Sequence, residues 1–291
     1  MARVIGKTKA IVLRTRRMGE TSKLVTLYTE QYGKISVVAK GARRPKSKFG
    51  AGLEVMTEIQ AVCYVRDDRD LHTLSDCEVI RTFPLLLQDI QKMAYGSGAC
   101  EMVDRLTIDG EPAERLYQCL IGALGGFEEV EAAQNEPLFW YYQLRVADAL
   151  GYRPELSCCA NCASGLDIPQ WLQFSPALGG AICPSCNRQA ATPYEAGFPT
   201  TAGDGDLTPP NSGGEFSYGA GPNGQTYRVA GASVQFLAGL QQLRTYHREA
   251  IPAEPPRGGE IRGMLRRILE YHAGQSGRLR SLDFLDSVRS A

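Results

Sequence analysis

Between residues 8 and 81 hydrophobic and polar positions alternate with a period near two, and beyond Pro84 the period lengthens to about 3.6. The first regime predicts strands over Lys9 to Arg16, Ser22 to Thr29, Lys34 to Lys40, Glu58 to Val65 and Leu71 to Ile80, all rich in Val, Ile, Leu, Thr and Tyr. The fourth alternates cleanly: Ile59, Ala61, Cys63 and Val65 share one face, and Glu58, Gln60, Val62 and Tyr64 the other. Gly19, Gly33 and the Asp67-Asp68-Arg69-Asp70 cluster supply turns. Five short strands with no long helix between them suggest a small closed barrel such as the OB-fold, although an SH3-like barrel has a similar size and strand count.

The second regime predicts helices. Leu86, Ile90 and Met93 mark one. Ala113, Leu116, Tyr117, Leu120, Leu124 and Phe127 mark a second, entered at Glu111-Pro112 and left near Gly125-Gly126. Leu138, Tyr141, Tyr142, Leu144 and Ala149 belong to a third, stopped by Gly151 and Pro154. These stripes read as core-facing. Helical pattern returns at Phe236, Leu240 and Leu243, and again at Ile261, Leu265, Ile268 and His272, and these helices are expected to pack back onto the 84–150 bundle. Between the two groups, eleven of the twenty-seven residues 199–225 are Gly or Pro, so a flexible surface insertion is expected there.

Cysteine spacing adds chemistry to this frame. Cys159-Ala-Asn-Cys162 is followed by Cys183-Pro-Ser-Cys186. Two C-x-x-C knuckles offer four thiolates, the set that a closed tetrahedral zinc site needs. Such a site holds a fold together and leaves no vacancy for chemistry. A pair of disulfides and a thioredoxin-like redox motif are the competing readings; the first suits an oxidising compartment and the second a βαβ context, which is absent. Cys158 is the spare thiol, and Cys63, Cys77, Cys100 and Cys119 have no framework spacing.

The net charge of zero hides an asymmetry. Residues 1–50 hold thirteen Lys or Arg against two acids, Glu20 and Glu30, so the remaining 241 residues carry an excess of eleven negative charges. Five cations, Lys40, Arg43, Arg44, Lys46 and Lys48, fall within nine residues after the third strand, where Gly41 and Pro45 oppose a regular helix. A loop of that kind suits a phosphate backbone, and the arginines could fork onto phosphate oxygens. Tyr28, Tyr32, Phe49 and Tyr64 are available as stacking platforms for bases, but for any one of them core packing is the favoured reading.

Positioned catalytic groups are hard to find. The three histidines are His72, His247 and His272, the last on an apolar helix face where a core histidine is expected. Gly6-Lys7-Thr8 resembles the end of a P-loop but lacks a preceding strand, and Asp67, Asp68 and Asp70 fit a solvated turn better than a cation site. No catalytic residue is assigned and no enzyme is expected. No apolar run approaches membrane-spanning length and no signal-peptide pattern opens the chain, so a cytoplasmic, nucleoid-associated protein without membrane contact is expected.

Gly33-Lys34-Ile35, the run Val38-Ala39-Lys40-Gly41-Ala42-Arg43-Arg44-Pro45-Lys46-Ser47, and Phe174-Ser175-Pro176-Ala177-Leu178-Gly179-Gly180 between the C-x-x-C pairs together resemble the RecO-type DNA repair proteins of bacteria. The resemblance covers nearly the whole chain and departs from the compact family pattern in the Gly/Pro-rich segment. It implies an α+β multi-domain protein with an N-terminal OB-fold β-barrel, a helical bundle and a four-cysteine zinc-finger module. The expected division is an OB-fold domain at 1–82, a helical domain at 83–152 and 230–291, a zinc module at 153–198 and an insertion at 199–229. It also implies a recombination mediator that binds single- and double-stranded DNA and anneals complementary strands. With RecR, such a protein helps load RecA onto single strands coated with single-strand-binding protein. Lys40, Arg43, Arg44, Lys46 and Lys48 would contact DNA, and Cys159, Cys162, Cys183 and Cys186 would hold one structural zinc ion. The competing readings are a zinc-ribbon RNA-binding or transcription-associated protein, a scaffold for an acidic protein partner and, last, a nuclease using Asp67, Asp68 and Asp70.

Overall fold

The computed structural model describes residues 4–65, 70–190, 219–221, 224–273 and 279–284. Strands β1 (Val4–Met18), β2 (Ser22–Thr29), β3 (Gly33–Ala39), β4 (Glu58–Val65) and β5 (Leu71–Arg81) close into a barrel of order β1-β2-β3-β5-β4. Every pairing is antiparallel except β3 with β5, the parallel contact that closes an OB-type barrel. β1 is longer than its alternation suggests because it serves both neighbours. It pairs with β4 through its first half and with β2 through its second, and a bulge between Val12 and Arg14 bends it from one to the other. Val12, Leu27, Val37, Ile59 and Leu74 fill the barrel interior.

Ile11, Leu13 and Tyr28 point out of the barrel and are buried by the helices that follow. Each such side chain contributes roughly 1.5–3 kcal/mol when removed from water, so the barrel is fastened to the bundle by apolar contact. Buried Glu58 accepts a hydrogen bond from the Tyr117 hydroxyl at 3.0 Å across the same junction. Lys34 reaches the Asp104 carbonyl at 2.7 Å and the Asp109 carboxylate at 3.2 Å.

The helices are α1 (Pro84–Gln88), α2 (Ile90–Leu106), α3 (Glu114–Glu129) and α4 (Asn135–Ala149). The stripe of Leu86, Ile90 and Met93, read as one helix, is two: Asp89 caps α2 by accepting from the amides of Gln91 and Lys92, and the chain turns at that cap. α4 is buried on nearly every side, with Leu138, Phe139, Trp140, Tyr141 and Tyr142 all at most 2% exposed. It is the axis on which the later helices pack.

Strands β6 (Trp171–Ser175) and β7 (Gly180–Ile182) form a hairpin, and helix α5 (Pro184–Ala190) follows. β8 (Gly219–Gly221) and β9 (Gly224–Ala230) add to it, giving a four-stranded sheet of order β7-β6-β9-β8. The C-terminal end of the segment expected as a flexible insertion, 199–229, thus lies in strand β9. Tyr227 and Val229 alternate inward and pair with β6, which offsets the cost of ordering them. Residues 199–218 and 222–223 lie outside the described residues. α6 (Gly231–Gln242) and α7 (Gly258–Ala273) pack on α4. The segment after α6 crosses α3 where Gly122 and Gly126 leave room for Tyr246; a Cβ at either would meet that side chain within 3 Å. Among the described residues no helix is long and apolar enough to cross a membrane.

Candidate nucleic-acid interface and metal centre

The basic loop after β3 is a chain of tight turns rather than an open drape. Gly41 takes a left-handed φ of 75°, and Arg44 N donates to the Gly41 carbonyl at 3.1 Å. Ser47 N donates to the Arg44 carbonyl at 3.0 Å, and Phe49 then plugs the barrel end. Beside the loop lies a groove of about 610 Å³ lined by Met18, Gly19, Thr21, Ser22, Val38, Lys40, Gly41 and Arg44. Its lining contains two cations and no acid. Arg16 and Arg17 are exposed on the adjoining end of β1, and Lys46 on the outer turn of the loop. Sequence reasoning passed over Arg16, Arg17 and Met18. The available signal was the Arg14-Thr15-Arg16-Arg17 run at a strand end, where twist turns successive side chains outward.

The five loop cations divide by environment. Lys40 and Arg44 line the groove and Lys46 faces solvent. Lys48 lies over the Phe49 ring with Nζ 5.5 Å from its centroid. Arg43 braces the loop: its Nη1 donates to the carbonyls of Gly19 (3.1 Å) and Glu20 (2.7 Å), and its backbone N donates to Thr21. Elsewhere on the barrel Lys23 pairs with Glu54 and Arg14 with Asp104.

Two of the four aromatics pack in the core, the reading favoured for each. Tyr28 is fully buried, its hydroxyl donating to the Ala113 carbonyl, and Phe49 is 4% exposed in the barrel core. Tyr32 and Tyr64 are half-buried, and Tyr32 packs against the barrel core. His272 is exposed rather than in the core; it stacks on Tyr152 with an interplanar angle of 7°, and its Nε2 donates to the Pro176 carbonyl. Asp67 and Asp68 lie outside the described residues, and Asp70 is an exposed residue at the start of β5.

The metal centre is built from both knuckles. The sulfurs of Cys159, Cys162, Cys183 and Cys186 all lie within 4.8 Å of one another. Cys162 Sγ and Cys183 Sγ are 3.8 Å apart; the edge of a tetrahedron with metal–sulfur bonds of about 2.3 Å is about 3.8 Å. Cys159, Cys183 and Cys186 are buried and Cys162 is exposed, while Cys158 stands outside the cluster in a bridge with Gly165. The first knuckle closes with Ala163 at a positive φ of 58°, and its amide donates to the Cys159 carbonyl. The second opens α5, so that Cys186 sits in that helix's first turn.

Polar groups surround the sulfurs as they would surround thiolates. Cys183 N donates to Cys159 Sγ at 3.3 Å, Cys186 N to Cys183 Sγ at 3.4 Å, and Asn161 Nδ2 to Cys186 Sγ at 3.3 Å. The Ser164 hydroxyl pulls Cys162 below the ordinary thiol range, and the Ser185 hydroxyl, helped by the Cys186 amide, brings Cys183 down to about 5. Cys186, eased by the Asn161 amide but raised by its hydrogen bonds to Cys162 and Cys183, is held up to about 12. A divalent cation binding here would bind the thiolates and displace the protons that remain on the sulfurs.

Phe174-Ser175-Pro176-Ala177-Leu178-Gly179-Gly180 is the hairpin that carries this centre. Ser175 Oγ accepts from Leu178 N, Gly179 turns at φ 67°, and a Cβ on Gly180 would lie 2.3 Å from the Glu155 carbonyl oxygen. Glu155 gathers the entry strand: its carboxylate accepts from the Ser157 hydroxyl and from the amides of Ser157 and Cys158, which holds it down to about 2.

Two family models match the chain: Recombination protein O N terminal over residues 1–83, and Recombination protein O C terminal over residues 87–198. The chain is 38% identical over 189 residues to a DNA repair protein RecO of Pelotomaculum thermopropionicum, covering 65% of this chain and 71% of that one. It is 36% identical over 177 residues to the protein of the same name from Symbiobacterium thermophilum, covering 60% and 69%. A third, from Moorella thermoacetica, is 26% identical over 282 residues, covering 97% of this chain and 91% of that one.

Proposed function

Because this chain belongs to the RecO family, and is therefore a DNA repair and recombination protein, we propose that it is a recombination mediator. It binds single- and double-stranded DNA, anneals complementary single strands and, together with RecR, helps load RecA onto strands coated with single-strand-binding protein. The observation that carries this reading is the groove beside the basic loop, lined by Lys40 and Arg44 together with Met18 and Val38 and by no acid.

Annealing asks a protein to neutralise two backbones while leaving base edges open to each other. A cationic groove that reads phosphate does this: it releases condensed counterions and carries no sequence preference. Lys40, Arg44 and Lys46 contact phosphate in this reading, Lys48 contacts it from its seat on Phe49, and Arg43 contributes charge while fixing the turn. Cys159, Cys162, Cys183 and Cys186 hold one zinc ion. The sulfur-only donor set and closed geometry suit that ion, which would stabilise the β6–β7 hairpin and take no part in chemistry.

The test is the salt dependence of single-strand binding. Each phosphate contact on a single strand contributes about 0.7 to the log–log slope, so neutral replacement of Lys40, Arg44 and Lys46 should flatten it by about 2. An unchanged slope would place the DNA site elsewhere on the molecule.

A further inference from the structure

Charge along the chain falls into three blocks rather than two. Residues 51–223 hold nine Lys or Arg against twenty-four acids, but residues 224–280 hold nine cations against four acids, and all nine are arginine. This last block builds β9, α6 and α7, well apart in sequence from the barrel groove. Arginine rather than lysine is the residue for bidentate recognition of phosphate.

Two of these arginines meet on one aromatic ring. On the β6–β9 sheet Leu172, Phe174, Tyr227 and Val229 face the core, while Trp171, Gln173 and Arg228 occupy the opposite face. The Arg228 guanidinium carbon lies 4.8 Å from the centroid of the Trp171 ring, and that of Arg257, just before α7, lies 5.0 Å from it. Glu260 fixes the arrangement: its Oε1 accepts from the Ala230 amide that ends β9 (3.0 Å), and its Oε2 faces Arg257 Nε at 3.4 Å. Among the described residues no carboxylate pairs with Arg228. Arg257 is 49% exposed at its side chain despite its pairing.

A guanidinium laid on an indole keeps its in-plane N–H donors turned outward, with its face supported and its rotamer already chosen. Two such groups on one ring make a preorganised anion seat. Gln173 shares this face, and half-buried Trp171 lies directly under the two guanidiniums, so its emission reports an anion held by them.

We propose that Trp171, Arg228 and Arg257 form a second phosphate-binding surface that holds a second single strand of nucleic acid while the barrel groove holds the first. This inference rests on the DNA-binding reading and deepens it, since annealing needs two strands on one protein.

Tryptophan emission tests it directly, because the chain has two tryptophans and Trp140 is 1% exposed. The full chain is titrated with an oligothymidylate while emission and the anisotropy of the labelled oligonucleotide are followed together. The expected result is a saturable emission change that W171F abolishes. The R228A/R257A double variant should also lose it, and should show a salt slope flatter by about 1.4, with residual anisotropy from the barrel groove. Oligonucleotide binding by anisotropy with no change at Trp171, or a change that survives in R228A/R257A, overturns the second surface and leaves the DNA-binding reading standing. No anisotropy change at all removes both. An emission change produced by a polyglutamate peptide but not by oligothymidylate would assign the seat to an acidic protein, and would also overturn the proposal.

Discussion

Gly19 and Gly33 occupy the same left-handed backbone region, φ 63° in both, yet substitution to Ala should have very different consequences. Around Gly19 nothing lies within 4 Å of where a Cβ would stand. At Gly33 that Cβ would stand 2.1 Å from the Glu111 carbonyl oxygen and 2.4 Å from its carbon, both backbone atoms that no rotamer change can move. The Glu111 segment carries the junction of barrel and bundle, because Gly110 N donates to the Lys34 carbonyl at 2.9 Å and Lys34 bridges Asp109. Gly19→Ala therefore costs only the left-handed penalty, about 1 kcal/mol after allowance for the stiffer unfolded chain. Gly33→Ala adds about 1 kcal/mol for the hydrogen bond and about 1–3 kcal/mol for forcing the two backbones apart, giving about 3–5 kcal/mol. Urea unfolding followed by circular dichroism measures the difference, and limited proteolysis near Asp109–Ala113 should accelerate in the Gly33 variant alone. Equal losses in the two variants would show that the close approach of these backbones does not hold the barrel to the bundle.

The arginine pair in the basic loop should separate in the same manner. Arg43→Ala removes two hydrogen bonds to the β1–β2 turn and should lower stability by about 1 kcal/mol, the exposure of the group keeping the figure small. Arg44→Ala should leave stability unchanged and flatten the salt slope of single-strand binding by about 0.7; matched effects of the two on both readouts would contradict this division. Cys183→Ser should abolish metal content and speed hydrogen exchange across the β6–β7 hairpin while the barrel amides keep their protection. A variant without metal but with full protection in the hairpin would show that the cluster does not brace the fold.

The parts of the molecule that were legible in the sequence are those fixed by local pattern. Alternation in Glu58 to Val65 located a barrel strand because Ile59, Ala61 and Cys63 are indeed fully buried, and the knuckle spacing located the sulfur cluster because each turn is built within four residues. Features that depend on distant partners were hidden. β9 reads as part of a Gly/Pro-rich stretch, and only its pairing with β6 makes Tyr227 and Val229 a buried strand face. Core packing was the favoured reading for Tyr28 and Phe49, but which neighbour covers each aromatic carries no mark in the sequence. His272 shares the heptad-like spacing of Ile261, Leu265 and Ile268, but it falls at the end of α7, beyond the part that α4 covers, and meets Pro176 instead. Arg43 and Arg44 are adjacent and chemically identical, and only the turn at Gly19 makes Arg43 a brace while Arg44 lines the groove.

A recombination mediator of this kind must bring two single strands together. Complementary oligonucleotides coated with single-strand-binding protein, mixed with and without the protein and followed for duplex formation, measure that directly. Acceleration without ATP, lost as salt rises, is the predicted result. Tight DNA binding with no acceleration would contradict it, and would leave a member of the family that holds DNA without pairing it.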